Sequence, residues 1–345
     1  MAYTTINKGS SYFNTVTYTG TGVSRNQTGV GFDPDWVWIK SRSNAYNNNV
    51  WDRVRGAGQR LITNDTGAEE TQTGDMSAFV TDGITVGAGN ITNANGATFV
   101  MWNWLANNTS GSSNTAGSIT STVSANTTAG FSIVSYTGTG SAATVGHGLG
   151  VAPKMIIFKN RGGAVGWACY NSNLGNTNYI ALNETIASEA IGSVLFNSTS
   201  PTSSVFSIGT GDRTNSSSVN YIAYCFAEVK GYSKFGSYTG NGSSDGTFIY
   251  TGFKPAFILT KRTNGTGSWV LQDNKRPTYN QGGSYLYASA SNTEANDLPI
   301  DILSNGFKQR QGIYNDTNGS GDSYIYMAFA ENPFVTSGGI PVTAR

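Results

Sequence analysis

An internal repeat that occurs three times is the feature of this sequence that most restricts its fold. The segments SYTGTG (135–140) and SYTGNG (237–242) are nearly identical, and TYTGTG (17–22) is a third copy. A glycine-bearing loop, a proline, an apolar run and a lysine follow each copy. These proline segments read VGFDPDWVWIK (30–40), LGVAPKMIIFK (149–159) and TGFKPAFILTK (251–261). Since motif and proline keep the same spacing in all copies, to within one residue, the similarity indicates a true repeat.

The three copies also agree further along the chain, and each ends on an aromatic segment. These closing segments read ATFVMWNWLAN (97–107), VNYIAYCFAEV (219–229) and DSYIYMAFAEN (322–332). The period of about one hundred residues is far longer than a solenoid repeat of about 20–50 residues. Each copy holds several short runs of β-branched and aromatic residues, separated by turn signals such as Asp82-Gly83 and Asn305-Gly306. We therefore predict an all-β protein of three tandem, mutually similar antiparallel β-sandwich domains of the jelly-roll type.

Composition places the domain boundaries. The segment 108–130 is a low-complexity run of Ser, Thr, Asn and Gly, which is typical of a flexible polar linker. The predicted organisation is an N-terminal arm (1–14), repeat 1 (15–107), the polar linker (108–130), repeat 2 (131–232), repeat 3 (233–334) and a C-terminal tail (335–345).

Charge and hydropathy exclude several classes of partner. Charged residues make up 12% of the chain, and the formal net charge is +1. No basic tract is present that would form an electrostatic footprint for nucleic acid. No apolar run approaches the roughly 20 residues that span a bilayer, so we expect no membrane insertion. The beginning MAYTTINKGS lacks the basic and apolar regions of a signal peptide, so we expect no export signal of the Sec type.

The two cysteines, Cys169 and Cys225, lie in the strand-like apolar contexts WACY and AYCFA. Two buried thiols are the expected arrangement, because a free cysteine behaves as a small apolar residue. The sequence leaves open a disulfide between neighbouring strands.

The inventory of residues for catalysis and metal binding is poor. His147 is the single histidine and lies between glycines in a loop, with no nucleophile or carboxylate placed beside it, so a structural role is expected. A zinc site needs three or four His, Cys or carboxylate ligands. The sequence therefore predicts no catalytic residue, no cofactor-binding residue and no metal ligand, and the protein is expected not to be an enzyme.

Glycosidase chemistry would need two carboxylates that face each other across a sugar. Glu70, Glu189 and Glu294 occur once per repeat, in loops that correspond to each other. A residue type present in every copy favours a shared structural need over a single active site. Asp52 and Asp273 correspond to each other, but the second repeat has Asn171 at that place.

Two further motifs have weak ligand character. NDTNGSGD (315–322) has the spaced oxygens of a calcium loop but lacks the terminal glutamate and spacing of an EF-hand, which favours a hairpin loop. Glycine-rich strings such as TGTGS lead into another strand and not into a helix, so they do not form a phosphate-binding loop.

Trp36 and Trp38 lie two residues apart on one predicted strand and pose a choice between a sugar-binding platform and the protein core. Aligned at the proline, Trp36 corresponds to Met155 and Phe257, and Trp38 corresponds to Ile157 and Leu259. Met, Ile and Leu offer no flat π face, whereas a core position tolerates them. The tryptophans are therefore predicted to be core residues, with Asp35 or Lys40 marking where the strand emerges.

Several longer motifs resemble a poorly characterised protein family of tailed bacteriophages, especially those of marine bacteria and cyanobacteria. The resemblance covers essentially the whole chain. It rests on TTINKGSSYFNT, GFDPDWVWIKSRS, VWDRVRGAGQRL, TVGHGLGVAPKMIIFKN, SYTGNGSSDGTFIYTGFKPAFILTKR and AFAENPFVTSGGIPVTAR. It implies a structural protein of the virion, of the tail-fibre or surface-appendage type, and it carries over no catalytic residues.

The leading functional hypothesis is accordingly a non-enzymatic virion protein exposed on the particle, either a tail fibre or adhesin or a capsid decoration protein. Its expected partners are other capsid or tail proteins and a host-surface glycan or receptor, and a homo-oligomer remains open. Assembly in the host cytoplasm agrees with unpaired thiols. The alternative is a carbohydrate-binding or carbohydrate-active jelly-roll protein. A bacterial surface protein is disfavoured by the expected lack of an export signal.

Overall fold

Antiparallel strands make up nearly all regular structure in the computed structural model, which describes residues 3–277, 279–280, 282–312 and 314–341. The prediction of an all-β protein is confirmed. Among the described residues, no helix is long and apolar enough to cross a bilayer.

The chain forms three units, one for each repeat. The first unit comprises a 3-10 turn at Gly9–Ser11, β1 (Phe13–Thr19), β2 (Arg25–Thr28), β3 (Trp36–Ser41), β4 (Asn49–Asp52), β5 (Gln59–Ile62), β6 (Glu70–Thr71), β7 (Met76–Val80), β8 (Gly83–Val86), α1 (Asn90–Asn93) and β9 (Thr98–Trp104). The second comprises β10 (Ser112–Asn114), β11 (Ser121–Asn126), β12 (Phe131–Thr137), β13 (Ala143–Gly146), β14 (Met155–Asn160), β15 (Ala168–Asn171), β16 (Gly175–Ile180), β17 (Glu189–Ala190), β18 (Val205–Ile208), α2 (Asp212–Asn215) and β19 (Asn220–Phe226). The third comprises β20 (Ser233–Thr239), β21 (Phe248–Tyr250), β22 (Phe253–Arg262), β23 (Val270–Asp273), β24 (Leu286–Tyr287), β25 (Ile300–Leu303), β26 (Gly306–Gln309) and β27 (Ser323–Pro333).

Each unit consists of a large and a small antiparallel sheet. The large sheets have the orders β1-β9-β3-β4-β5-β6, β10-β11-β12-β19-β14-β15-β16-β17 and β20-β27-β22-β23-β24. The small sheets are β2-β8-β7, β13-β18 and β21-β26-β25. In every large sheet the closing aromatic strand lies between the strand that carries the YTG motif (β1, β12 or β20) and the proline strand. These closing strands are central, which explains why apolar side chains occupy both of their faces.

One core joins the three units. One face of each large sheet packs toward its own small sheet, as Val37 and Ile39 do in the first unit. The opposite face packs into a central cluster with contributions from all three units, among them Trp36, Phe131 and Phe257. The three repeats follow one another in sequence, but their large sheets share this one cluster and fold around a common core.

The two tryptophans of the proline strand are core residues, as predicted. Trp36 is 1% exposed and Trp38 is fully buried, and both belong to the central cluster. The expectation that Asp35 or Lys40 marks the strand's exit to solvent is wrong, because both residues are fully buried. The Asp35 carboxylate accepts hydrogen bonds from Arg53 and from the backbone N–H groups of Ala106 (2.7 Å) and Asn108 (3.0 Å).

The lysine that ends each proline segment connects its unit to a neighbour. Lys40, Lys159 and Lys261 are fully buried, and each ammonium donates only to backbone carbonyl groups. Burial lowers the pKa of each to about 8. The acceptors across the unit boundary are Ser291 for Lys40 (3.1 Å), Thr66 for Lys159 (3.0 Å) and Thr185 for Lys261 (3.0 Å). These bonds run from the first unit to the third, from the second to the first and from the third to the second, so the three units close into a ring.

A second set of hydrogen bonds runs in the same direction around the ring. It originates one residue before β4, β15 and β23, at Asn48, Trp167 and Trp269. Their side chains donate to the carbonyl groups of Tyr287 (2.9 Å), Ile62 (2.8 Å) and Ala181 (2.8 Å), respectively. The same bond at each boundary gives the ring pseudo-threefold symmetry.

The YTG motif positions the turn that precedes each closing strand. In the first unit the Tyr18 hydroxyl donates to the Thr92 carbonyl oxygen (2.7 Å). Tyr136 and Tyr238 make the corresponding bonds to Thr214 and Thr317. The motif's glycine allows close approach to this turn, because a Cβ on Gly20 would lie 2.2 Å from the carbonyl oxygen of Ala94. The repeat signature is therefore a packing requirement.

The prediction that 108–130 is a flexible linker is wrong. It contains β10 and β11, which extend the second large sheet beyond β12. Ile119 and Val123 on this segment pack into the core of the second unit. Strand pairing and the burial of these apolar side chains thus order a run whose composition is otherwise that of a flexible segment.

The predicted N-terminal arm at 1–14 is also not free in the part that the structure describes. Residues 3–12 lie along the third unit and form a strap across the ring boundary. The Tyr3 hydroxyl donates to the Gly252 carbonyl oxygen (2.7 Å), and Ile6 is buried in the central cluster. The strap also contacts the predicted C-terminal tail (335–345), where the backbone N–H of Ser337 donates to Asn7 Oδ1 (2.7 Å); residues 342–345 of that tail lie outside the described residues.

We predict that Trp38→Ala lowers the free energy of unfolding by about 3–5 kcal/mol, the usual cost of truncating a buried large side chain. Because the core is shared, calorimetry should show one transition at a lower temperature. The control is Val23→Ala, at a side chain that is 67% exposed, which should leave the transition unchanged. Two separate transitions, of which only one moves, would contradict a common core.

Candidate functional site

Of the three carboxylates predicted to be structural, Glu294 joins two units of the ring. Glu294 accepts two hydrogen bonds from Arg42 of the first unit, at 2.9 and 2.8 Å. The equivalent residue of the first unit is Glu69, which accepts two bonds from Arg161 of the second unit, at 2.9 and 2.7 Å. Burial opposes ionisation of Glu69, but its arginine partners outweigh it and lower its pKa below the usual range.

The predicted correspondence among Glu70, Glu189 and Glu294 is wrong by one residue. The backbone N–H groups of Glu69, Ser188 and Glu294 make the same bond across a unit boundary, to the carbonyl oxygens of Arg161, Thr263 and Arg42. Glu70 and Glu189 instead lie on the short edge strands β6 and β17. The equivalent residues of the three repeats are therefore Glu69, Ser188 and Glu294. Because the repeats have low sequence identity, their alignment can be shifted by one residue, and only the backbone hydrogen bonds show the correct alignment.

Asp52 and Asp273 form buried ion pairs at the same boundaries. Asp52 pairs with Arg55 and accepts a hydrogen bond from the Tyr224 hydroxyl of the second unit (2.8 Å). In the third unit, Arg276 is 2.6 Å from Asp273. The indole N–H of Trp102 donates to this aspartate from the first unit (3.0 Å).

At the third boundary, uncharged residues occupy the corresponding positions. Asn171 replaces the aspartate there, Leu174 replaces the arginine, and Met327 lies at the place of Tyr224 and Trp102. A buried aspartate–arginine pair thus occurs at two boundaries of the ring, whereas the third has the Lys261 ammonium but no such pair among the described residues. None of these acids faces a groove as a pair of carboxylates would for glycoside hydrolysis.

His147 is a buried loop residue with both ring nitrogens occupied. The backbone N–H of Leu149 donates to Nδ1 (3.2 Å), so Nε2 carries the proton and donates to the Thr202 carbonyl oxygen (3.1 Å). Burial lowers the pKa of His147, against the opposing effect of the bond to Thr202. The residue is therefore held neutral as part of its loop.

The cysteines and the 315–322 loop have structural surroundings. Cys169 and Cys225 are buried free thiols on opposite faces of the second large sheet, so they cannot form a disulfide with each other. In the loop, Asp316 accepts from the backbone of Ser268, whereas Asp322 pairs with Arg262. Among the described residues, no group of three or more His, Cys, Asp and Glu could hold a metal ion.

An exposed aromatic face lies on β21 of the third unit. Phe248 is 44% exposed and Tyr250 is 54% exposed, whereas Ile249 between them is buried. The strand is short and lies at the edge of its sheet, so one side of it faces solvent. This is the arrangement of two aromatics on one face that the sequence raised for Trp36 and Trp38, found at a different strand.

A groove of about 480 Å³ adjoins this face and is the candidate site. We call it the β21 groove. Its lining comprises Tyr3, Glu228, Lys230, Gly231, Ser233, Lys234, Tyr250, Thr251 and Gly252. The strap contributes Tyr3, whose hydroxyl lies 3.4 Å from that of Tyr250. The groove thus joins the beginning of the chain to the third unit.

The charges at the β21 groove are mainly cationic. The Lys230 ammonium lies 4.8 Å from the ring centroid of Tyr3, and among the described residues it has no carboxylate partner. Lys234 forms a partly exposed ion pair with Glu228 (3.2 Å). Hydroxyl groups, two lysines and aromatic rings equip such a groove to bind and orient a ligand.

Sequence analysis missed this site because its residues are separated by up to 249 positions. One difference between the repeats could have indicated the site from the sequence. At the places that correspond to Phe248 and Tyr250, the other units carry Asn26 and Thr28 or Thr144 and Gly146. Comparing the outward positions of the second strand in each repeat would have singled out the third.

We predict that Arg55→Leu destabilises the protein by about 3–5 kcal/mol, because it leaves the Asp52 carboxylate buried without its main partner. The triple variant Asp52→Asn, Arg55→Leu, Tyr224→Met copies the third boundary at these positions and should recover most of that loss. Chemical denaturation of both variants measures this. A triple variant as unstable as the single one would contradict the equivalence of the boundaries.

A second prediction concerns pH. The unfolded chain binds a proton at His147 near pH 6.5, whereas the folded protein resists it, so stability is lost as the pH falls below about 6.5. His147→Gln should remove this component. The measurement is the difference in unfolding free energy between the wild type and H147Q from pH 8 to pH 5, since the carboxylates titrate in both. Parallel curves would show that burial does not hold the imidazole neutral.

Comparison with known proteins identifies one family. A family model described as a domain of unknown function (DUF7483) matches residues 8–333. No curated protein and no solved structure matches this chain. The match includes all three units and the second half of the strap. The chain is a member of the DUF7483 family.

Proposed function

We propose that this chain is a non-enzymatic structural protein exposed on the surface of a bacteriophage particle. The observation that carries the proposal is the closed ring of three units, each joined to both neighbours around one core. Such a ring is a rigid body with the approximate symmetry of a trimer, made from a single chain. This shape suits a protein that seats on a symmetric assembly and presents a surface outward.

The use of the ionisable groups supports a non-catalytic role. Asp52, Asp273 and Glu294 are tied to arginines at unit boundaries. The three buried lysines are occupied by carbonyl groups. Groups committed to structure in this way are not free to move protons or attack a substrate. The assignment to a phage particle rests on the motif resemblance, and cytoplasmic assembly agrees with two unpaired thiols.

Between the two forms of the proposal, the tail-fibre or adhesin form has the better support. A decoration protein anchored by a terminus needs a free arm, whereas residues 3–12 are packed on the third unit. An adhesin needs exposed aromatic side chains for its receptor, and Phe248 and Tyr250 supply them. The expected partners are other virion proteins on one side of the ring and a host-surface receptor at the β21 groove.

The alternative is a carbohydrate-binding or carbohydrate-active protein. Its binding half is compatible with an adhesin, since the β21 groove has aromatic and polar walls. Its catalytic half lacks support, because the acids it would use are engaged by arginines.

The test uses particles of a phage that encodes this chain. Antibodies raised against the purified chain should label intact particles in electron micrographs, at the tail for the adhesin form and over the capsid for the decoration form. The free chain should also compete with particles for adsorption to host cells if it is an adhesin. Purified particles that lack the chain by mass spectrometry would overturn the proposal.

A further inference from the structure

We propose that the β21 groove binds an acidic sugar, with the pyranose ring against Tyr250 and the anionic substituent at Lys230. The inference deepens the attachment role and rests on it for its biological setting. Its physical basis is independent, because it uses only the groove itself.

The exposed aromatic face belongs to one unit of three. Ile249, Gln27 and Val145 are the corresponding inward residues of β21, β2 and β13, since each pairs with an apolar residue of the neighbouring strand. Only in the third unit do the flanking outward positions carry aromatic rings. A requirement of the fold would apply to all three units, so this difference indicates a property specific to the third.

The chemistry of the groove walls suits a pyranose sugar. The face of an aromatic ring is electron-rich and attracts the weakly positive C–H groups of a pyranose. The hydroxyls of Tyr3 and Tyr250 lie at the groove and can exchange hydrogen bonds with sugar hydroxyls. A volume of about 480 Å³ falls within the range of about 300–1,000 Å³ that is usual for small-molecule sites.

The charges at the groove favour an anionic ligand. Lys230 and Lys234 face one acid, Glu228, which pairs with Lys234. The Lys230 ammonium therefore retains a positive charge for which the groove supplies no counterion among the described residues. An ammonium that lines an open groove beside an aromatic ring favours a ligand with a carboxylate or sulfate group on a ring.

The groove is preorganised by two glycine turns. Gly252 and Gly231 adopt left-handed backbone conformations, with φ of +82° and +78°. A Cβ on Gly252 would lie 2.8 Å from the Tyr3 hydroxyl, and one on Gly231 would lie 2.8 Å from Cβ of Thr4. The strap is thus fitted closely against these turns, and the groove walls are in place before a ligand arrives.

Two other grooves at unit boundaries serve as comparisons. One, of about 420 Å³, is lined mostly by amide and charged groups together with Phe13, whose ring is buried. The other, of about 360 Å³, has Val219 as its large apolar side chain. Neither offers an exposed aromatic ring, so the β21 groove alone of the three has a stacking surface.

The experiment measures binding by the full chain with ligand-detected NMR and titration calorimetry. The probes are trigalacturonic acid, neutral maltotriose and inorganic sulfate. Trigalacturonic acid should bind more tightly than maltotriose, and raised salt should weaken it. Sulfate should compete only weakly, because it cannot stack.

The variants separate the two contacts. Tyr250→Ala should weaken trigalacturonic acid by about tenfold, the usual worth of one aromatic contact. Lys230→Gln should reduce its advantage over maltotriose by about fivefold and leave maltotriose unchanged. Tyr279→Ala is the matched control, because this tyrosine is 78% exposed and does not line the groove. All three variants should keep the wild-type melting temperature, since they alter exposed side chains.

Three results would overturn the inference: no binding of either saccharide, binding that Tyr250→Ala leaves intact, or sulfate competing as well as the acidic sugar. Equal affinity for maltotriose would overturn the choice of an acidic ligand. These outcomes are separate from those for the particle. A chain found on virions that binds no sugar refutes the inference alone, and one that binds sugar but is absent from virions refutes the proposed function alone.

Discussion

The contact of three aromatic sheet faces at the centre of the ring is the interaction on which the rest of this structure depends. Trp36 stacks on Tyr224 of the second unit with ring centroids 4.5 Å apart, and Phe13 stacks on Phe329 of the third at 5.3 Å. Phe226 and Phe329 complete the circuit between the second and third units at 6.0 Å. No unit alone could cover its aromatic face. The units therefore stabilise one another through buried apolar area that none would bury by itself.

The central core also determines what the polar residues do. Polar side chains at the ends of its strands are removed from water and need hydrogen-bond partners, which several of them find in the adjacent unit. Lys159 finds carbonyl groups, and Asp52 finds an arginine and a tyrosine. Charged residues that could be taken for catalytic groups in the sequence therefore form contacts between the units. Because the third boundary has no aspartate–arginine pair among the described residues, such a pair is one of two ways in which these positions are filled.

Pseudo-symmetry also shows where function is to be sought. Structural features that all three units share are explained by the packing of the ring. A feature that occurs in one unit alone requires a different explanation. The exposed aromatic strand and the lysine-lined groove beside it occur on the third unit, where the strap adds Tyr3. A rigid body with one distinct face is well suited to attachment, because little ordering is required when the ligand binds.

The sequence by itself determined the strand-rich class, the three repeats and the core role of Trp36 and Trp38, because these follow from local pattern and from comparison of the copies. It did not determine that Lys40 is buried, that 108–130 forms strands or that the chain's beginning packs on the third unit. Those features depend on contacts between residues far apart in the chain, and a lysine at a strand's end looks exposed until a second unit covers it. The β21 groove belongs to this class. Only the closure of the ring brings Tyr3 beside Tyr250, and no local pattern encodes that distance.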